Sequence, residues 1–130
     1  MTDVPNDIDV ALDGMHADKK KLLKAQLRSI EEEIVERRLI ASDTTLQVND
    51  EVGELCTTMA NLSPAHENAP DAQRRDRMII EREKLDLTKE LREEQRETWK
   101  DVQQLKREER EVETELVGAE QRHKRTKDLL

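Results

Sequence analysis

The chain has 130 residues, enough for one domain at most. Charged residues make up 42% of it, and aromatic residues only 1%, Trp99 alone. Aromatic side chains supply much of the buried area of compact folds, so this composition argues against a conventional globular core. A chain rich in Ala, Glu, Lys, Leu and Arg is instead typical of long helices and coiled coils.

The net charge of -8 argues against general nucleic-acid binding, because no sustained basic stripe accompanies it. Cys56 is the only cysteine, which favours the cytosol or nucleus over an oxidising compartment. The acidic N-terminus lacks the features of a secretory signal, and no apolar run approaches the length of a membrane span. We therefore predict a soluble cytoplasmic protein without a membrane span, with cytoskeletal association and a nuclear location left open.

Residues 1–16 form the first segment. The first 18 residues carry five Asp and no Lys or Arg, and Pro5 and Gly14 interrupt them. We predict an acidic, disordered tail over residues 1–16. The helical spacing of Ile8, Leu12 and Met15 leaves open a short amphipathic turn that forms on binding.

Two helical patterns follow, over residues 17–62 and 71–130. In both, apolar residues recur at alternating steps of three and four, the heptad spacing of a coiled-coil seam. Residues 63–70 contain two prolines, and a proline inside a helix costs about 3 kcal/mol, so we predict a loop there. Pro70 is also compatible with the first turn of the second helix. At 1.5 Å per residue the two helices would span about 70 and 90 Å.

The two heptad runs share one irregularity. Steps of 3, 4, 4, 3, 4 and 3 lead forward from Ala41 to Leu62 and, equally, backward from Thr98 to Arg77. The doubled step of four is a stutter, where a supercoil locally unwinds. Matching the stutters in antiparallel helices gives a register in which facing residue numbers sum to 139. The core-type positions are Ala41, Thr44, Val48, Val52, Leu55, Met59 and Leu62, and Thr98, Gln95, Leu91, Leu87, Lys84, Ile80 and Arg77.

The predicted fold is therefore all-α, a long antiparallel coiled-coil helical hairpin within a larger helical bundle or coiled-coil assembly. An extended parallel dimer is the alternative. The predicted seam comprises Leu23, Leu27, Ile30, Ile34, Val48, Val52, Leu55, Met59, Ile80, Leu87, Leu91, Val102, Leu105, Val112 and Leu116. Polar seam residues such as Arg37 either extend past the seam by their aliphatic stems or set register and partner choice.

A second apolar set lies off the seam and would face water in an isolated hairpin. Hydrophobic stripes wider than a coiled-coil seam usually pack against further helices, so we predict a homo- or hetero-oligomer with other coiled-coil proteins. The candidate partner-facing residues are Val35, Leu39, Ile40, Leu46, Met78, Ile79, Leu85 and Val117.

No motif indicates catalysis. His16, His66 and His123 are too scattered to form a metal site with Cys56. Cys56 adjoins the seam and is read as a small packing residue, since no histidine and acid cluster accompanies it to support nucleophilic chemistry. The chain has no glycine-rich phosphate loop. We predict no enzyme activity, no catalytic, cofactor or metal site, and no small-molecule substrate.

Three basic clusters have several readings. They are Lys19–Lys21 with Lys24, Arg74–Arg75 with Arg77, and residues 122–125 with Lys127. The last one complements a helix C-terminus, serves as a nuclear-localisation or polyanion patch, or meets the acidic residues 1–18 at the same end of the hairpin. Acidic tubulin tails are a further possible target, so microtubule contact is one predicted interaction.

These features predict a non-enzymatic structural or scaffold subunit that mediates protein–protein assembly. A cytoskeletal complex of the axonemal, spindle-pole or kinetochore type suits helices of this length. The alternatives are a subunit of a vesicle-trafficking or tethering complex and a regulatory binding module with an acidic tail.

Overall fold

The computed structural model describes the backbone of residues 3–65 and 70–129 and the side chains of residues 7–62 and 71–129. This part of the chain forms two α-helices, α1 (Asp3–Ala65) and α2 (Pro70–Asp128), and contains no strand. The helices contact each other extensively, which confirms the predicted all-α helical hairpin. Within the described residues, neither helix has a stretch long and apolar enough to cross a membrane.

The helix boundaries differ from the predicted ones, most of all at the N-terminus. Because α1 begins at Asp3, the prediction of a disordered tail is wrong for residues 3–16. Acidic side chains near a helix N-terminus are favoured by the helix dipole. Two aspartates of this segment, Asp9 and Asp13, also form ion pairs with Lys127 of α2. At the other end α1 continues to Ala65, and Pro70 opens α2. Residues 66–69 of the predicted loop lie outside the described residues.

The hairpin divides into two compact units. The terminal unit comprises residues 1–36 and 102–130, and the central unit comprises residues 37–101. Each unit has its own buried apolar side chains. These are Leu23, Ile34, Val102 and Ala119 in the terminal unit, and Val48 and Ile80 in the central unit. The structure buries or half-buries every residue of the predicted seam.

Three contacts show the antiparallel register of the terminal unit. The rings of His16 and His123 stack with centroids 4.1 Å apart, and their numbers sum to 139. Lys20 Nζ lies 2.7 Å from Glu120 Oε1, and Lys127 Nζ lies 2.8 Å from Asp13 Oδ1; both pairs sum to 140. The register of this unit therefore lies within one residue of the register predicted from spacing.

The central unit corrects the predicted stutter of α2. Gln95 and Arg77 are exposed, whereas Glu94 and Asp76 are half-buried in their place. Glu94 turns toward the seam because Arg37 of α1 binds its carboxylate, as described below. The half-buried and buried positions run backward from Thr98 through Glu94, Leu91, Leu87, Lys84, Ile80 and Asp76. In α1, both Thr44 and Thr45 are half-buried.

Candidate interaction surfaces

Arg37 is the charged residue that enters the seam of the central unit. Its Nε donates a 2.8 Å hydrogen bond to Asp101 Oδ2, and its Nη1 donates a 2.7 Å hydrogen bond to Glu94 Oε1. The hydrogen bond to Asp101, followed by the one to Glu94, raises the pKa of Arg37. A guanidinium stays charged in proteins, and only 19% of the Arg37 side chain is exposed, so this charge is largely shielded from water.

The two acceptors of Arg37 are seven residues apart on α2. One guanidinium therefore spans a full heptad of the opposite helix, and its several donors make this geometry possible. The Glu94 carboxylate is also contacted from its own helix, because Thr98 Oγ1 lies 3.3 Å from Glu94 Oε1, in addition to its 2.7 Å hydrogen bond to the Glu94 carbonyl oxygen. Sequence reasoning placed Arg37 at the seam and missed its acceptors. The feature of the sequence from which these acceptors could have been predicted is the pair of carboxylates, Glu94 and Asp101, one heptad apart on α2.

Asp13 is the centre of a polar cluster in the terminal unit. Its carboxylate accepts hydrogen bonds from Lys127 and lies 2.9 Å from Nε2 of His123, whose ring stacks on His16. The hydrogen bond from Lys127 is the main reason that the pKa of Asp13 is lowered, and the same bond raises the pKa of Lys127. Lys127 also lies 3.6 Å from Asp9. One of the alternative readings of the C-terminal basic cluster, contact with the acidic N-terminal segment, is thereby confirmed for His123 and Lys127.

No metal centre is formed by the described residues. The structure brings His16 and His123 together, contrary to the predicted scatter, yet it holds no group of three or more ligand-type side chains arranged around a metal position. His66 lies outside the described residues. Cys56 is a free, exposed thiol, so its predicted role as a packing residue is wrong within the hairpin. It lies one residue beyond Leu55, and one helical step rotates a side chain by about 100° away from the seam.

The predicted apolar residues that lie off the seam are exposed on the described surface. All eight candidate partner-facing residues are exposed, by between 52% for Ile40 and 66% for Met78. Their role as partner contacts stays a prediction. Further large apolar side chains are exposed outside the predicted set, and they are Ile8, Val10, Met15, Leu22, Trp99 and Leu129. Trp99 follows the seam residue Thr98 directly, and one helical step turns a side chain by about 100°, so its place outside the seam could have been predicted from the sequence.

Comparison with curated proteins and with solved structures finds no match. A family model matches residues 2–129, nearly the whole chain. The chain therefore belongs to DUF8104, a family of unknown function.

Proposed function

We propose that this chain is a non-enzymatic helical-hairpin subunit that assembles with other coiled-coil helices. The observation that carries the proposal is the exposed apolar set on both helices, in a chain whose residues are 42% charged. Burying one such side chain contributes about 1.5–3 kcal/mol, so covering several of them gives a substantial driving force for association. Exposed apolar side chains that share a patch commonly mark protein interaction sites.

The spacing of these residues favours helices as partners. Leu39 and Leu46 are seven residues apart on α1, and Met78 and Leu85 are seven residues apart on α2. Such a period presents one line of side chains along a helix, the surface that a heptad-bearing partner helix covers. An extended partner would present its own side chains with a period of two. This period does not match the seven-residue spacing, so such a partner would contact only some of these residues.

Photo-crosslinking in cells tests the proposal. A tagged full-length chain carries a photo-reactive amino acid at Leu39 or Leu85, and a matched chain carries it at Asn49, which is exposed and polar. We expect defined adducts with a heptad-bearing protein, or with another copy, from the first two chains only. If neither apolar position gives a defined adduct and the purified chain is a stable monomer at every concentration, the proposal is wrong.

The cellular context we propose first is a cytoskeletal complex of the axonemal, spindle-pole or kinetochore type. Helices of 63 and 59 residues suit a spacer or clamp, and the exposed cations of the C-terminal basic cluster, Arg122, Lys124 and Arg125, suit the acidic tails of tubulin. Co-pelleting with microtubules at low salt is the expected result. Adducts with vesicle-tethering proteins and no co-pelleting would favour the rival context, a trafficking or tethering complex.

A further inference from the structure

One line of side chains on α2 of the central unit alternates between cations and apolar groups. It runs through Arg75, Met78, Arg82, Leu85 and Lys89, at steps of 3, 4, 3 and 4, and we name it the cationic stripe. All five side chains are exposed, and Met78 and Leu85 are 66% and 61% exposed. Within the described residues, none of its three cations has an ion-pair partner. A shallow groove follows the stripe from Arg75 to Leu85.

A line of the opposite charge lies on α1 of the same unit. Leu39, Asp43, Leu46 and Asp50 follow one another at steps of 4, 3 and 4, and we name them the acidic stripe. All four side chains are exposed, and the two leucines are 61% and 60% exposed. Neither aspartate has an ion-pair partner among the described residues. The two stripes thus share a seven-residue period and differ in the sign of their charges.

The two stripes are complementary position by position. Adding 39 to each residue number of the acidic stripe places Leu39 on Met78 and Leu46 on Leu85. The same offset places Asp43 on Arg82 and Asp50 on Lys89. Apolar layers then alternate with layers of opposite charge. Apolar contact supplies affinity in such an interface, and the charge pattern supplies specificity.

The stripes cannot meet within one hairpin. Leu46 and Asp50 each lie two residues from the buried Val48, and Met78 and Arg82 each lie two residues from the buried Ile80. Two residues turn a helix by about 200°, so each stripe lies on the side of its helix that faces away from the seam. Covering either stripe therefore requires a helix from outside this hairpin.

Building on the proposed function, we propose that the acidic stripe of one copy of this chain packs on the cationic stripe of a second copy. The contact joins two different surfaces, so in a pair one copy retains an unused cationic stripe and the other retains an unused acidic stripe. Contacts of this type extend into larger assemblies unless their rotation closes a ring. Exposed charge pairs are screened by salt, and the association therefore weakens as ionic strength rises.

Sedimentation velocity of the purified full-length chain tests the proposal through charge reversal. One variant carries Asp43→Lys and Asp50→Lys, and the other carries Arg82→Glu and Lys89→Glu. Like charges opposed across an interface cost several kcal/mol, so we expect each variant alone to self-associate at least about tenfold more weakly than the wild type. In an equimolar mixture, the lysines at positions 43 and 50 of one variant oppose the glutamates at positions 82 and 89 of the other, and the remaining two stripes keep their wild-type, complementary charges. We expect the mixture to regain association.

Matched reversals at exposed positions outside the stripes control for net charge. Glu111→Lys with Glu115→Lys, and Lys106→Glu with Arg107→Glu, change the charge equally, and we expect wild-type association from both. Circular dichroism verifies that every variant remains helical. A wild type that is monomeric at all concentrations at low salt would overturn the proposal, as would a mixture that fails to regain association. If photo-adducts at Leu39 with a different protein persist in that case, the proposed function stands and only the choice of a second copy is wrong.

Discussion

Arg37 links the two helices of the central unit through its hydrogen bonds to Glu94 and Asp101. Hydrogen bonds between charged groups contribute more than neutral ones. Removing the Arg37 side chain also leaves the half-buried Glu94 carboxylate without this partner. We expect Arg37→Ala to lower the free energy of unfolding by about 1–2 kcal/mol, with the exposure of Asp101 limiting the effect. Urea unfolding followed by circular dichroism measures the change.

The neighbouring Arg38 supplies the matched control for this prediction. Its side chain is exposed, and it makes no ion pair within the described residues. We expect Arg38→Ala to change the free energy of unfolding by less than about 0.5 kcal/mol. Equal losses from the two substitutions would show that Arg37 contributes only what any surface arginine on this helix contributes.

Asp13 makes the stability of the terminal unit depend on pH. Its pKa is lowered from the ordinary value of 3.8, chiefly by the hydrogen bond from Lys127, so the charged form is favoured in the folded state. The stabilisation is complete above the ordinary pKa and is lost as pH falls through the lowered one. We expect the melting temperature of the wild type to fall more steeply below pH 4 than that of Asp13→Asn.

A second aspartate on the same helix controls for this acid effect. Asp18 is exposed and has no ion-pair partner within the described part of the chain. The variant Asp18→Asn should keep the wild-type slope of melting temperature against pH. The same slope in Asp13→Asn as in the wild type would contradict the role of the Asp13 cluster.

Two glycines lower the stability of α1. Gly14 and Gly53 lie inside Asp3–Ala65, neither has a positive φ, and a methyl group added to either would meet no atom within 4 Å. Glycine in a helix interior is less favourable than alanine by about 1 kcal/mol, because the unfolded chain loses more freedom on folding. We expect Gly53→Ala to raise the free energy of unfolding by about 0.5–1 kcal/mol, measured by urea unfolding.

The reverse substitution on the same helix provides the comparison. Ala60 is exposed in α1, and Ala60→Gly should lower the free energy of unfolding by a similar amount. A destabilising Gly53→Ala would contradict the prediction, because it would mean that another group approaches the Gly53 backbone too closely for a methyl group.

The start of α1 also shows why a helix boundary is hard to predict from local sequence. Glycine and proline among the first 14 residues lower helix propensity, and this favoured the disordered tail. In the structure the segment gains contacts with α2 through Asp9 and Asp13. Tertiary contacts contribute most of the stability of helices in proteins, so they outweigh the local preference.

For the whole molecule, the antiparallel hairpin predicts which groups a zero-length carbodiimide reagent will join. Lys20 Nζ lies 2.7 Å from Glu120 Oε1, within reach of direct amide formation. We expect a Lys20–Glu120 crosslink, identified by mass spectrometry after proteolysis. In an equimolar mixture of unlabelled and nitrogen-15-labelled chains, the linked peptides should be entirely light or entirely heavy.

Mixed light and heavy linked peptides would instead show that the two helices in contact come from different chains. Dilution separates the two cases further, because an intrachain crosslink keeps its yield as the protein concentration falls. The variant Glu120→Gln removes the reactive carboxylate and serves as the chemical control.

The heptad spacing predicted two long helices, their seam residues and the off-seam apolar set, but it left open whether the helices form a hairpin or an extended parallel dimer. These features follow from the 3.6-residue turn of the helix, and any local stretch displays them. The structure resolves that choice in favour of the hairpin, and it also places Glu94 rather than Gln95 toward the seam and makes residues 3–16 helical. In both places a charge that is distant in sequence makes a contact, Arg37 with Glu94 and Lys127 with Asp13, and such pairs become visible only when the opposite helix is in place.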